Sequence, residues 1–150
     1  KTKNNKYMVF TDNGRQETGL NAIDWFLEAQ ELGAGEICLT SIDKEGTGEG
    51  FDIDFLNIIK NKIKIPILVH GGLKTPSDLT NVLKLCHVNG FLISSMLHYM
   101  SSKELNSNIK KKFQGNTTFI GNKMSYRKFE NYNIDLIKQF LFEKKFQIRN

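Results

Sequence analysis

The sequence predicts an α/β fold built from repeated βα units, and three observations carry that prediction. Four short apolar runs, "YMVFT" (7–11), "EICLT" (36–40), "IPILVH" (65–70) and "GFLIS" (90–94), are continuous rather than alternating, as parallel strands buried on both faces read. Amphipathic segments with helix start and stop signals lie between them. The strand ends, Thr11, Thr40, His70 and Ser94, recur every 24 to 30 residues, the length of one βα unit. A (β/α) barrel and an open doubly wound sheet both produce such a repeat, and four units amount to half of an eight-stranded barrel.

Each element has a local reason. In the first helix Asn21 caps "AIDWFLEAQEL", Asp24 follows three residues on, and Gly33 stands just past the end. The second helix starts at Asp52 and carries Ile53, Leu56 and Ile59 on one stripe. In the third, Thr75 is the cap, Pro76 the first helical residue and Asp78 the acid of the first turn, with Leu79, Val82, Leu83 and Cys86 spaced i, i+3, i+4, i+7. Beyond Tyr99 the pattern weakens: "SSKELNSNIKKKF" fits a helix and "QGNTTFIGNKMSYRKFE" an irregular or hairpin-like insertion. "IDLIKQFLFEKKF" then forms a last amphipathic helix with Ile134, Ile137 and Leu141 on one face.

With 150 residues, 39% hydrophobic and 25% charged, the chain has the makings of one domain, 1–150, with its own core. No apolar run reaches the roughly 18 residues of a membrane helix, and "KTKNNKYMVF" has no secretory apolar region, so a cytoplasmic protein without a membrane partner is expected. The opening on Lys1 rather than Met suggests that sequence is missing upstream. Cys38 and Cys86 occupy apolar positions and read as core thiols, with neither a disulfide framework nor a metal site. The net charge of +5 is uneven: residues 1–100 hold 10 Lys and Arg against 12 Asp and Glu, residues 101–150 hold 11 against 4. No basic motif interleaved with aromatics accompanies that tail, so a solvated charged face is expected and no nucleic-acid partner.

The polar residues and glycines collect after the strands, in "TDNGRQETG", "TSIDKEGTGEG", "HGGLKT" and "SSMLHY", all read as turn-rich loops at the carboxyl edge where α/β folds place their sites. Gly71-Gly72 and Ser94-Ser95, on consecutive units, suggest a phosphate site, because small residues expose backbone N–H groups and helix N-termini favour anions. The blander alternative is that the two glycines only make a tight turn. Asp43 and Glu45 offer a carboxylate pair on the glycine-rich loop, although loop acids are usually just solvated. Thr11 and Thr40 can bond a ligand or cap a turn, and His70 ends a buried strand facing the same edge. His87 and His98 have no metal-ligand spacing with it.

In order and spacing, "VFTDNGRQETGLNAIDW", "LGAGEICLTSIDKEGTGEGFD", "PILVHGG" and "FLISSMLHY" resemble the C-terminal half of the cyclase subunit of imidazole glycerol phosphate synthase, and "IDLIKQFLFEKKFQIR" resembles that family's last helix. The resemblance implies the C-terminal half, three to four βα units, of a TIM (β/α)8 barrel. It implies a lyase of histidine biosynthesis that pairs with a glutaminase subunit as a heterodimer. The ammonia so delivered converts a phosphorylated small-molecule substrate into imidazole glycerol phosphate and an aminoimidazole carboxamide ribotide. No cofactor is called for. Carried over, Gly72, Ser94 and Ser95 bind one substrate phosphate beside Gly71, while Thr40, Glu45 and Asn13 fall on site-lining or polar loop positions.

The departures are specific. Glu45 stands where the family usually has Asp, His70 where it usually has a small residue, and the 107–130 insertion is atypical. Paralogues that supply nitrogen for amidination of surface-polysaccharide sugars tolerate such changes and give an alternative function; a non-catalytic phosphate-binding half-barrel that pairs with another half gives a second. The family's two catalytic aspartates end its first and fifth strands, which places both upstream of Lys1, and the same alignment turns "YMVFT" into part of a loop hairpin, leaving three complete barrel strands.

Overall fold

The computed structural model describes residues 6–108 and 132–149. Its centre is a three-stranded parallel sheet of β3 (Ile37–Thr40), β4 (Ile67–His70) and β5 (Gly90–Leu92), in that order across the sheet. Helix α2 (Ile53–Ile59) connects β3 to β4, α3 (Pro76–Leu85) connects β4 to β5, and α4 (Ser95–Asn108) follows β5. Ahead of the sheet lie β1 (Met8–Thr11), β2 (Gln16–Asn21) and α1 (Ala22–Glu31), and α5 (Ile134–Glu143) packs against α3. The arrangement is α/β, with two small sheets and no closed barrel among the described residues.

The expected caps form. The Asn21 side chain accepts from the Ile23 and Asp24 N–H groups at 2.9 and 3.4 Å, and Gly33, at φ +95°, follows the end of α1. Asp52 accepts from the Phe55 N–H at 3.1 Å, and Asp78 accepts from the Thr75 and Lys74 N–H groups at 2.9 and 3.0 Å. Each helix thereby starts at a fixed residue past its strand end, which aims its apolar stripe at the sheet.

Register decides what the sheet buries. The pairs Ile37↔Ile67 and Leu39↔Val69↔Phe91 place those five side chains on one face, because successive strand residues point to opposite sides. That face meets Phe55, Leu56 and Ile59 of α2 and Leu79 and Val82 of α3, with Ile137 and Leu141 of α5 completing the core. The opposite face, Cys38↔Leu68↔Gly90 and Thr40↔His70↔Leu92, stays half-buried or exposed.

Several expectations are thus corrected. "YMVFT" is no parallel strand: β1 pairs antiparallel with β2 around Asp12, Asn13 and Gly14, all in the left-handed region that Asp, Asn and Gly tolerate best, and the Gly14 and Arg15 N–H groups donate to the Thr11 carbonyl at 3.1 and 3.2 Å. The hairpin alternative drawn from the alignment is the one observed. The strands are covered on one face only, so Cys38 lies exposed while Cys86 is buried, where desolvation pushes its thiol pKa up against the weaker opposing pull of Lys60. "SSMLHY" is the first turn and more of α4, not a loop, and α5 ends at Glu143 with Ile134 exposed. The insertion expected at 107–130 lies almost entirely outside the described residues.

Ile59 is fully buried under the sheet, whereas Leu92 is 41% exposed on the opposite face. Ile59→Ala is therefore expected to lower the unfolding free energy by about 2–4 kcal/mol, and Leu92→Ala by less than about 1 kcal/mol. Urea titration of the 150-residue chain checks this, and comparable losses would show that the second face is as closely packed as the first.

Candidate functional site

Beyond the carboxyl ends of β4 and β5 the chain makes two turns that close on a third. The β4–α3 turn, starting at Gly71, lies against the β3–α2 loop, residues 41–52. Gly71 and Gly72 have φ of +98° and +103°, and the approach is so close that a Cβ on Gly71 would stand 2.8 Å from the Ser41 carbonyl oxygen; one on Gly72 would overlap the Gly50 carbonyl. Hydrogen bonds fix the contact: the Gly50 N–H donates to the Gly72 carbonyl at 2.8 Å, and the Ser41 N–H to the His70 carbonyl at 3.1 Å. The tight-turn role of the glycine pair is therefore real, and it is what brings two site-bearing loops together.

The β3–α2 loop is itself ordered by short-range bonds. The Lys44 and Glu45 N–H groups donate to the Ser41 carbonyl at 3.1 and 2.9 Å, and the Thr47 hydroxyl donates to the Lys44 carbonyl at 2.7 Å. Gly46, Gly48 and Gly50 all have positive φ, which accounts for the glycine content. Lys44 Nζ lies 3.5 Å from Glu49 Oε2 within the same loop.

The result is a small cleft lined by Glu45, Gly46, Gly48, His70, Gly71 and Gly72 on one side and by Ile93, Ser94, Ser95 and Met96 on the other. The Ser94 carbonyl accepts from the His98 N–H at 2.9 Å, which makes Ser94 the N-cap of α4. The following N–H groups, Ser95 first, have no intrahelical acceptor and carry the positive end of the helix dipole. Six of the eight expected residues thus share one cleft: Glu45, His70, Gly71, Gly72, Ser94 and Ser95.

Thr40 and Asn13 lie elsewhere. Thr40 lines a second cavity of about 180 Å³ between the β1–β2 hairpin and the sheet, with Tyr7, Phe10, Ser41, Asp43 and Asp52 among its walls. Asn13 is exposed in the hairpin turn and lines neither space; its neighbour Gly14 lines the second, against the Ile42 side chain. His70 belongs to both cavities, and its Nδ1 is 3.3 Å from the Thr40 hydroxyl.

The second cavity was not legible in the sequence. Tyr7 stacks on Phe55 with ring centroids 4.3 Å apart and its hydroxyl donates to the Asp52 carboxylate at 3.3 Å, a contact spanning 45 residues. A capping acid just past a glycine-rich loop was visible; its second partner was not. Among the described residues no group of three His, Cys, Asp or Glu side chains is arranged to hold a metal, and no described helix is long and apolar enough to cross a membrane.

Gly72→Ala should cost about 2–4 kcal/mol, the sum of left-handed strain and overlap with the Gly50 carbonyl, whereas Gly46→Ala, with open space around its φ of +67°, should cost about 1–2 kcal/mol. Denaturation midpoints separate the two, and equal costs would mean that the loop contact is not tight.

Comparison with known proteins bears on this chain directly. The family described as "Histidine biosynthesis protein" matches residues 1–103. The imidazole glycerol phosphate synthase subunit HisF of Syntrophobacter fumaroxidans is 44% identical over 93 residues, 62% of this chain and 36% of that protein. The subunits of the same name from Sulfolobus acidocaldarius and Dehalococcoides mccartyi are 48% identical over 81 residues and 38% over 99, covering 54% and 66% of this chain and 32% and 39% of theirs. The chain spans between about a third and two fifths of the length of these relatives. The matched stretch holds the parallel sheet and both walls of the cleft, and the chain belongs to the histidine biosynthesis protein family, as a protein similar to the cyclase subunit of imidazole glycerol phosphate synthase.

Proposed function

We propose that this chain is the phosphate-binding, C-terminal half of a cyclase subunit of the imidazole glycerol phosphate synthase type, its three parallel strands being three of the eight in a TIM barrel. The observation that carries this reading is the convergence of Gly71, Gly72, Ser94 and Ser95 in one cleft at the carboxyl edge of the sheet. There the first N–H groups of α4 and the glycine turn can donate to a phosphate without a cofactor or a metal. Glu45, exposed at the same cleft, and Thr40, across His70, would orient the rest of a phosphorylated substrate. Asn13, on the hairpin that overhangs Ile42, would meet substrate only on approach.

In this reading the whole enzyme is a cytoplasmic lyase of histidine biosynthesis that uses ammonia from a glutaminase partner to form imidazole glycerol phosphate and an aminoimidazole carboxamide ribotide. Its two proton-transfer aspartates lie on strands outside this chain, so the 150 residues bind phosphate without cyclising substrate. A second reading draws support from two residues in the cleft wall: Glu45 and His70, both departures from the usual family residues, are changes that a paralogue amidinating surface-polysaccharide sugars would tolerate. Relative turnover of the bisphosphate and of a nucleotide-linked sugar by the assembled enzyme separates the two.

Inorganic phosphate should bind the 150-residue chain, and Ser95→Glu should weaken that binding at least about tenfold, because the new carboxylate occupies the anion's place while suiting the start of α4. Isothermal titration reads the affinity. Binding unchanged in Ser95→Glu would place the anion elsewhere, and turnover of the bisphosphate with free ammonia by this chain alone would refute the division of labour.

A further inference from the structure

His70 is, among the described residues, the one side chain that lines both the cleft and the second cavity. Its cross-strand neighbour in the parallel register is Thr40, whose hydroxyl lies 3.3 Å from His70 Nδ1. Thr40 is absent from the cleft wall. A neutral imidazole carries one proton on two nitrogens, so whatever engages Nδ1 decides what Nε2 can offer. If the Thr40 hydroxyl donates to Nδ1, the ring proton sits on Nε2 and the histidine is a donor there. If the hydroxyl accepts, Nε2 presents a lone pair, which repels an anion.

We propose that Thr40 and His70 form a hydrogen-bond relay, Thr40 hydroxyl to Nδ1 and Nε2–H to the anion, so that Thr40 strengthens anion binding from outside the cleft as a positioning residue. The proposal rests on the reading of the cleft as a phosphate site and adds to it the group that completes the donor set. The lining residues supply only backbone N–H groups, serine hydroxyls and His70, with no Lys or Arg among them, so a side-chain donor at this place contributes a large share of the affinity. A phosphate accepts and does not usefully donate, and its arrival selects the tautomer in which Thr40 donates.

The test uses the 150-residue chain in mildly alkaline buffer with inorganic phosphate as probe. Thr40→Val, a change that an exposed strand position tolerates, should weaken phosphate binding by about 3- to 10-fold, Thr40→Ser should stay within about twofold of the parent, and His70→Leu should lose about tenfold. The double variant Thr40→Val/His70→Leu should bind no worse than His70→Leu alone, since Thr40 acts only through the ring. Nitrogen-15 spectra of the imidazole should show phosphate raising the Nε2–H tautomer of His70 in the parent and in Thr40→Ser, but not in Thr40→Val.

Binding that is lost in Ser95→Glu yet indifferent to Thr40→Val overturns the relay and leaves the cleft reading standing. Additive losses in the double variant, or a tautomer that phosphate does not move, likewise overturn it. No phosphate binding by the parent chain overturns both.

Discussion

Two carbonyl oxygens, those of Ser41 and Gly50, stand within 2.8 Å of where residues 71 and 72 would carry their β-carbons, and this contact organises the site. Backbone approaches backbone there, so no shift of a flexible side chain relieves a substitution. The two hydrogen bonds across the contact, Gly50 to Gly72 and Ser41 to His70, tie the β3–α2 loop to the end of β4. The wall of the cleft formed by Glu45, Gly46 and Gly48 with His70, Gly71 and Gly72 is thereby held together, facing the wall that the start of α4 supplies from the end of β5. A loop with three positive-φ glycines would otherwise be the least constrained part of the fold.

The parallel register makes the second contribution. In-register strands set Thr40, His70 and Leu92 side by side on the face away from α2 and α3, so residues thirty positions apart in the chain become hydrogen-bonding neighbours. The two faces divide the labour: one carries the apolar contacts with the helices, while the other brings its last row of side chains to the two cavities.

What was legible in the sequence follows from which forces are local. Caps at Asn21, Asp52 and Thr75, and the stripe Leu79, Val82 and Cys86, depend on residues three or four apart, and they appear where the spacing puts them. Continuity of an apolar run proved a poor guide to how many faces are covered: "ICLT" is as apolar as a doubly buried strand, yet Cys38 and Thr40 face outward because register, a non-local property, chooses the covered side. "YMVFT" misled for a related reason, since "DNG" is a turn signal that outweighs the apolar run before it. In the site, the glycine and serine pairs were visible as small residues at strand ends. Tyr7 on Asp52 and Thr40 on His70 were not, because nothing in either short stretch encodes its distant partner.

The charge arrangement around the cleft explains why a histidine there has consequences. The Cβ of Lys44 lies 3.1 Å from where a Gly72 side chain would begin, and its ammonium is 3.5 Å from the Glu49 carboxylate. Glu45 adds a carboxylate to the wall. An anion that binds there is held by oriented dipoles against an adverse full charge, a balance that is small and readily tipped. In such a balance the direction of one hydroxyl proton, passed through one imidazole, decides whether His70 adds a donor or a lone pair. With an anion held there as proposed, the Thr40–His70 pair would set its affinity independently of the turns that build the cleft.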